Sequence, residues 1–174
     1  MLVDVPNEVV AAIFQQSGLQ ISFANKRLAV TRQLSAEADP AWELVARLTR
    51  QAADAVKPET LCTAYGFNYE LHVLLSGERP AGEYLRDVFV ADRERVETVA
   101  GGTLASVGIE FSFHLQQMVQ NMRLKENMEN RNVADTHINS HFLSEHLPDD
   151  SVLADQLSEQ YQESINMLHR LLEP

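Results

Sequence analysis

Runs in which apolar and polar residues alternate dominate the middle of the chain, and runs with apolar residues three and four apart flank them. Leu19, Ile21 and Phe23 alternate with polar positions, Asn25-Lys26 forms a short polar break, and Leu28 and Val30 resume the alternation. Two period-two runs around a brief turn predict a β-hairpin. The stretch before it is ambiguous. Val9, Val10, Ile13 and Phe14 sit at helical spacing after Pro6-Asn7, with Gly18 as a stop, and a short strand fits as well. Asp39-Pro40 predicts a helix start, with the aspartate as cap and the proline at the first helical position, where its missing N–H costs nothing. Trp42, Val45, Leu48, Thr49, Ala52 and Val56 form one stripe of that helix, and Pro58 closes it.

The strongest strand signal runs from Leu61 to Leu75. Leu61, Tyr65, Phe67, Tyr69, Leu71, Val73 and Leu75 share one face, and Cys62, Ala64, Gly66, Asn68, Glu70 and His72 share the other. Ser76-Gly77 breaks it. Pro80 precedes a short helix with Tyr84, Leu85, Val88 and Phe89 expected inward. After Gly101-Gly102 a second long strand is expected, in which Ala105, Val107, Ile109, Phe111, Phe113 and Leu115 alternate with Ser106, Gly108, Glu110, Ser112 and His114. Met118, Met122 and Leu124 suggest further extended structure, with a helix over 118–128 as the alternative, and Val133 to Phe142 predicts a strand. The end is plainest. Pro148-Asp149-Asp150-Ser151 supplies a cap and first-turn acids, and Leu153, Leu157, Tyr161, Ile165 (beside Ser164), Leu168 and Leu172 follow at intervals of four and three. This predicts an amphipathic rod of about 20 residues, roughly 30 Å long.

These elements predict one α+β domain over residues 1–174. Its sheet is largely antiparallel, with helices packed on one face and the long C-terminal amphipathic helix chief among them. Two strands echo each other: Gly66 and His72 lie six apart on the polar face of one, and Gly108 and His114 do the same on the other. Two amphipathic strands aligned by their alternation also coincide at such positions by chance.

Charge narrows the partners. The chain carries 14 lysines and arginines against 25 acids, a net charge of −11. Nucleic acid requires clustered cations, so no nucleic-acid partner is expected. Arg86, Arg93 and Arg95 fall close together, but Asp87, Asp92, Glu94 and Glu97 interleave with them, which predicts a mixed solvated face. No run approaches the ~20 apolar residues of a membrane span, and Asp4 stands where a secretion signal wants a base, so no membrane partner is expected. Cys62 is the single cysteine, which rules out an intrachain disulfide and points to a reducing, cytoplasmic setting.

Catalytic chemistry has few footholds. His137 and His141 share a face, yet on a strand they stand ~13 Å apart, too far for one metal ion. A cluster of His114 with His137 or His141 from paired strands is the sharpest metal or acid–base candidate; no metal and no cofactor is expected. Cys62 lacks a neighbouring base and has the pattern of a small packed thiol. There is no phosphate-binding glycine loop and no Gly-x-Ser-x-Gly elbow. Met118, Met122 and Met128 suit a core or an interface.

The expectation is a non-enzymatic binding or protein-interaction module, a homo-oligomer or the partner of another protein. Its partner surface would include Asn68, Glu70, His72, Glu110 and His114. The alternative is a small-ligand-binding protein, or a hydrolytic or metal-dependent enzyme, with a pocket between sheet and C-terminal helix lined by Tyr65, Tyr69, Phe111 and Phe113.

Overall fold

The hairpin forms as the alternation predicts, and it recruits the ambiguous opening as a third strand. β1 (Val10–Phe14), β2 (Leu19–Ala24) and β3 (Arg27–Arg32) make an antiparallel sheet in the order β1-β2-β3. Gly18 sits at φ 63° after the 3-10 turn Gln15–Ser17, and a Cβ there would meet the Gln33 carbonyl oxygen at 2.8 Å, so glycine is required. The computed structural model describes residues 10–24, 27–34, 39–56, 63–75, 79–116 and 118–172. Pro6-Asn7, Val9, the Asn25-Lys26 turn, Pro58, Leu61, Cys62 and Ser76-Gly77 lie outside the described residues.

Helix α1 (Trp42–Val56) begins two residues later than Asp39-Pro40 predicts. The Asp39 carboxylate accepts the Ala41 N–H at 2.8 Å, and Ala41 adopts φ 49°. That local turn uses up the aspartate, so the Ala41 carbonyl, not a capped Pro40, receives the first helical N–H groups from Leu44 and Val45.

The remaining elements are β4 (Ala64–Leu74), α2 (Ala81–Phe89), α3 (Arg93–Ala100), β5 (Ile109–His114), β6 (Met118–Glu126), β7 (Val133–Leu143) and α4 (Asp150–Leu172). Residues 118–126 are strand, which closes the helical alternative. β4, β7, β6 and β5 form a second antiparallel sheet in that order, so the architecture is α+β with two sheets.

The chain divides into two compact units, the first within residues 1–63 and 144–160, the second within 64–143 and 161–174. In the first unit α1 lies against β3, and Arg50 Nη1 donates to the Leu147 carbonyl at 2.8 Å. Leu19, Val45, Ala46, Leu153, Ala154 and Leu157 are its buried apolar residues.

In the second unit β4 keeps the predicted faces: Phe67 and Tyr69 are buried, while Gly66, Asn68, Glu70 and His72 are exposed. Met122, Leu124, Ala134 and Ile138 complete the buried face from β6 and β7. Phe67, Met122, Leu124 and Ile138 each contribute about 1.5–3 kcal/mol by leaving water. The last half of α4 packs on this face, with Tyr161 edge-on to Tyr69 at 5.6 Å and the Leu172 carbonyl accepting from the Tyr84 hydroxyl. Helix α2 lies on it too, through Phe89 against Phe111.

Two expectations fail on α2. Val88 is exposed, and Arg86, expected on a solvated face, is buried with 9% of its surface accessible. The Arg86 guanidinium donates from Nη1 to the Leu104 carbonyl at 3.0 Å and from Nε to Asp87 at 2.9 Å. A paired guanidinium with a long apolar stem can occupy the inward position that an aliphatic side chain would otherwise fill. The other charges of the cluster behave as surface groups. Arg93 pairs with Glu97 one turn on, and Asp92 caps α3 by accepting the Arg95 N–H at 3.0 Å. β5 is also shorter than the expected strand from Ala105, because residues 105–108 are not part of the ladder with β6.

Candidate functional site

Because successive strand residues point to opposite faces, the strand register fixes which polar side chains stand side by side on the exposed face of the four-stranded sheet. Four rows cross it in the order β4, β7, β6, β5. One holds Gly66, His141, Val119 and His114. The next holds Asn68, Asn139, Asn121 and Ser112, and the third Glu70, His137, Arg123 and Glu110. The last holds His72, Asp135 and Lys125.

The rows are bonded internally. Asn139 donates its amide to the Asn68 carboxamide oxygen, and the Ser112 hydroxyl donates to that of Asn121. His72 Nδ1 lies 2.9 Å from Asp135 Oδ1, and His137 Nδ1 lies 3.8 Å from Glu70 Oε1. Asn127, in the turn between β6 and β7, donates to Asp135 at 2.7 Å while its carboxamide oxygen receives the N–H groups of Glu129 and Asn130. The Asn127 hydrogen bond, with the His72 imidazole adding to it, holds the Asp135 carboxyl below the usual carboxylate range.

Asn68, Glu70, His72, Glu110 and His114 therefore share one face, as alternation predicts, but β4 and β5 are opposite edges of the sheet. Gly66 and Gly108 do not stand together, nor do His72 and His114: β4 and β5 run antiparallel, so Gly66 shares a row with His114. Four strands in this order also give the two echoing strands different successors, helices after β4 and a hairpin after β5. The cluster of His114 with His141 or His137 does not assemble, because β5 and β7 are separated by β6 and Val119 stands between His141 and His114. Among the described residues no three His, Cys, Asp or Glu side chains are placed to hold a metal ion. What the face can do chemically is present mixed hydrogen-bonding and charged groups to a partner. Asn121, Asn139, Arg123, Lys125 and Asp135 belong to it as much as the edge residues do. Alternation marks them as outward, but their place in the middle follows only from the strand order.

The aromatic residues expected to line a pocket pack against one another. Tyr65 stacks on Phe142 at 4.9 Å, Phe111 on Phe113 at 5.9 Å, and Tyr69 meets Tyr161. Burial pushes the Tyr69 hydroxyl far above its ordinary titration range. Between the rings of Phe67 and Phe113, in the same row of the buried face, stand Ser140 and Gln120. Gln120 Nε2 lies 3.2 Å from Ser140 Oγ, and Gln120 Oε1 is buried with no hydrogen-bond partner among the described residues.

A second surface stands out in the three-stranded sheet. Ala11, Ala12, Ile13 and Phe14 of β1 are all exposed, Ile13 to 67% and Phe14 to 51%. Large apolar side chains open on both faces of an edge strand are uncommon in a chain that stays alone. Among the described residues no helix is long and apolar enough to cross a membrane. Comparison with protein-family models, with curated proteins and with solved structures finds no match, so the reading of these surfaces rests on their own chemistry.

Proposed function

We propose that the chain is a protein-interaction module that self-associates, working in a reducing, cytoplasmic setting. The observation that carries this is the apolar surface left open on the three-stranded sheet, where Phe14 and Phe23 are exposed on one face and Ile13 on the other. Covering them against protein would gain free energy in proportion to the area removed from water. The polar face of the four-stranded sheet supports the same reading as a second, more hydrophilic contact area. Light scattering and sedimentation across a range of concentrations test it, the expected result being a mass that rises toward two chains. A single-chain mass at every concentration would overturn self-association.

A second reading, a small-ligand binder, draws on the unpartnered Gln120 carboxamide oxygen between aromatic rings. Native mass spectrometry of the purified chain separates the two, since a retained small molecule favours the second.

A further inference from the structure

Edge strands are places where another chain can add by backbone pairing, and most carry charges that oppose it. The four sheet edges described here differ in this respect. β3 carries Arg27 and Arg32 and has α1 against it, β4 carries Glu70 and His72, and β5 carries Glu110 and His114. β1 has the sequence VAAIF, with no charge and no proline.

The register shows why this edge is greasy. Ala12, Ile21 and Val30 form one row of the apolar face, and Phe14 stands beside Leu19 in the next. Burial declines toward β1, from Leu19 at 6% exposure to Phe14 at 51%. The apolar face therefore runs on past the part that is covered. Ile13 points from the opposite face, beside Gln20 and Thr31.

The fit of the strand to itself favours a second copy as the occupant, and charge limits how that copy can approach. Two chains of net charge −11 repel each other over most of their surfaces. Residues 9–36 are the longest stretch of the sequence without an acid, and they contain the whole three-stranded sheet. An approach edge to edge through β1 brings together a stretch of sequence that carries no acid. The strand also suits itself. Antiparallel pairing centred on Ala12 sets the small Ala11 opposite the large Ile13 of the second copy, and the reverse.

We propose that β1 is the seam of a homodimer, in which the β1 strands of two copies pair antiparallel about a two-fold axis at Ala12 and join two three-stranded sheets into one. This rests on the self-association reading above and names its surface. Five paired residues bury far less than the roughly 1,200–2,000 Å² of a stable complex, so the dimer is weak and concentration-dependent.

Sedimentation velocity over a concentration series, run on the wild type, Ile13→Lys, Ala11→Lys and Val99→Lys, tests the seam. Ile13 and Ala11 are exposed, so lysine there leaves the fold intact, which far-UV circular dichroism verifies; Val99, exposed on α3, is the control. The expected result is a dimer dissociation constant raised about tenfold or more by either β1 substitution and unchanged by Val99→Lys. A geometric check uses Ala12→Cys in a Cys62→Ser background. Residues facing each other across an antiparallel pair have Cα atoms about 4.5–5.5 Å apart, within disulfide reach, so mild oxidation should cross-link Ala12→Cys chains much faster than Val99→Cys chains. A wild type that stays single at all concentrations overturns both the seam and the self-association reading. A wild-type dimer that ignores the β1 substitutions and does not cross-link at position 12 overturns the seam alone.

Discussion

Arg86 shows how one side chain can reverse an expectation drawn from spacing. It occupies an inward position of α2, and its Nη1 donates to the carbonyls of Leu104 and, at 3.4 Å, Ala105, in the segment leading to β5. The Leu104 N–H in turn donates to Glu97 at 2.9 Å. Arg86→Met keeps the apolar stem and removes the donors, leaving those carbonyls unpaired. A loss of about 2–4 kcal/mol is expected from urea denaturation. Asp135 sets a second expectation at this scale. Its carboxyl is held below the ordinary range by Asn127 first, so the native state binds a proton less readily than the unfolded chain does. The stabilisation is fully present above the unfolded value of about 3.9 and is lost as pH falls through the lower folded value. Asp135→Asn lacks this contribution. The stability gap between wild type and Asp135→Asn, measured by denaturation, should therefore be wide at neutral pH and narrow as the pH falls below about 4.

At the scale of elements, alternation alone locates β2, β3, β4 and β7 and sorts their faces, because a strand with one buried face must repeat every second residue, whereas at β6 it leaves a helix open as the alternative. The C-terminal helix is equally legible from its stripe. Alternation does not reveal whether a strand has a neighbour, and there the sequence expectations fail. The run from Ala105 alternates well, yet the ladder starts at Ile109. VAAIF has helical spacing, and pairing with β2 makes it a strand, since sheet formation is decided by what lies alongside. Helix α3 has no apolar stripe to announce it, although Asp92 before it and Gly101 after it are ordinary cap residues. The candidate face was legible as a list of outward residues but not as a surface, because strand order is a long-range property. Gly66 gives the sharpest prediction here. A Cβ at this position would stand 2.6 Å from the Ser140 carbonyl oxygen of β7, a backbone atom that moves only with the ladder. Gly66→Val should push β4 from β7 and cost roughly 1–3 kcal/mol, despite the better strand propensity of valine. Faster amide hydrogen exchange around Asn139 and His141 would locate the damage.

For the molecule as a whole, charge is distributed unevenly in a way that composition conceals. Seven acids, Glu145, Asp149, Asp150, Asp155, Glu159, Glu163 and Glu173, crowd the last thirty residues with Arg170 as the only lysine or arginine, while residues 9–36 contain Lys26, Arg27 and Arg32 and no acid. Two ways for copies to associate follow, and salt separates them. If uncharged β1 strands pair, the only long-range electrostatic effect is repulsion between two chains of net charge −11. Added salt shortens the screening length from about 30 Å at 0.01 M to about 3 Å at 1 M and weakens that repulsion. The dimer dissociation constant should then fall several-fold across that range, read by sedimentation equilibrium. If instead the acidic α4 of one copy met the acid-free sheet of another, opposite charges would supply the attraction, and the same salt would loosen the complex. Where that contact is made in one direction only it is head-to-tail, and it then also yields species larger than a dimer as concentration rises. Tightening with salt and a mass that stops at two chains are the paired expectation for the β1 seam, because hydrogen bonds and apolar contact between neutral strands have no charge to screen.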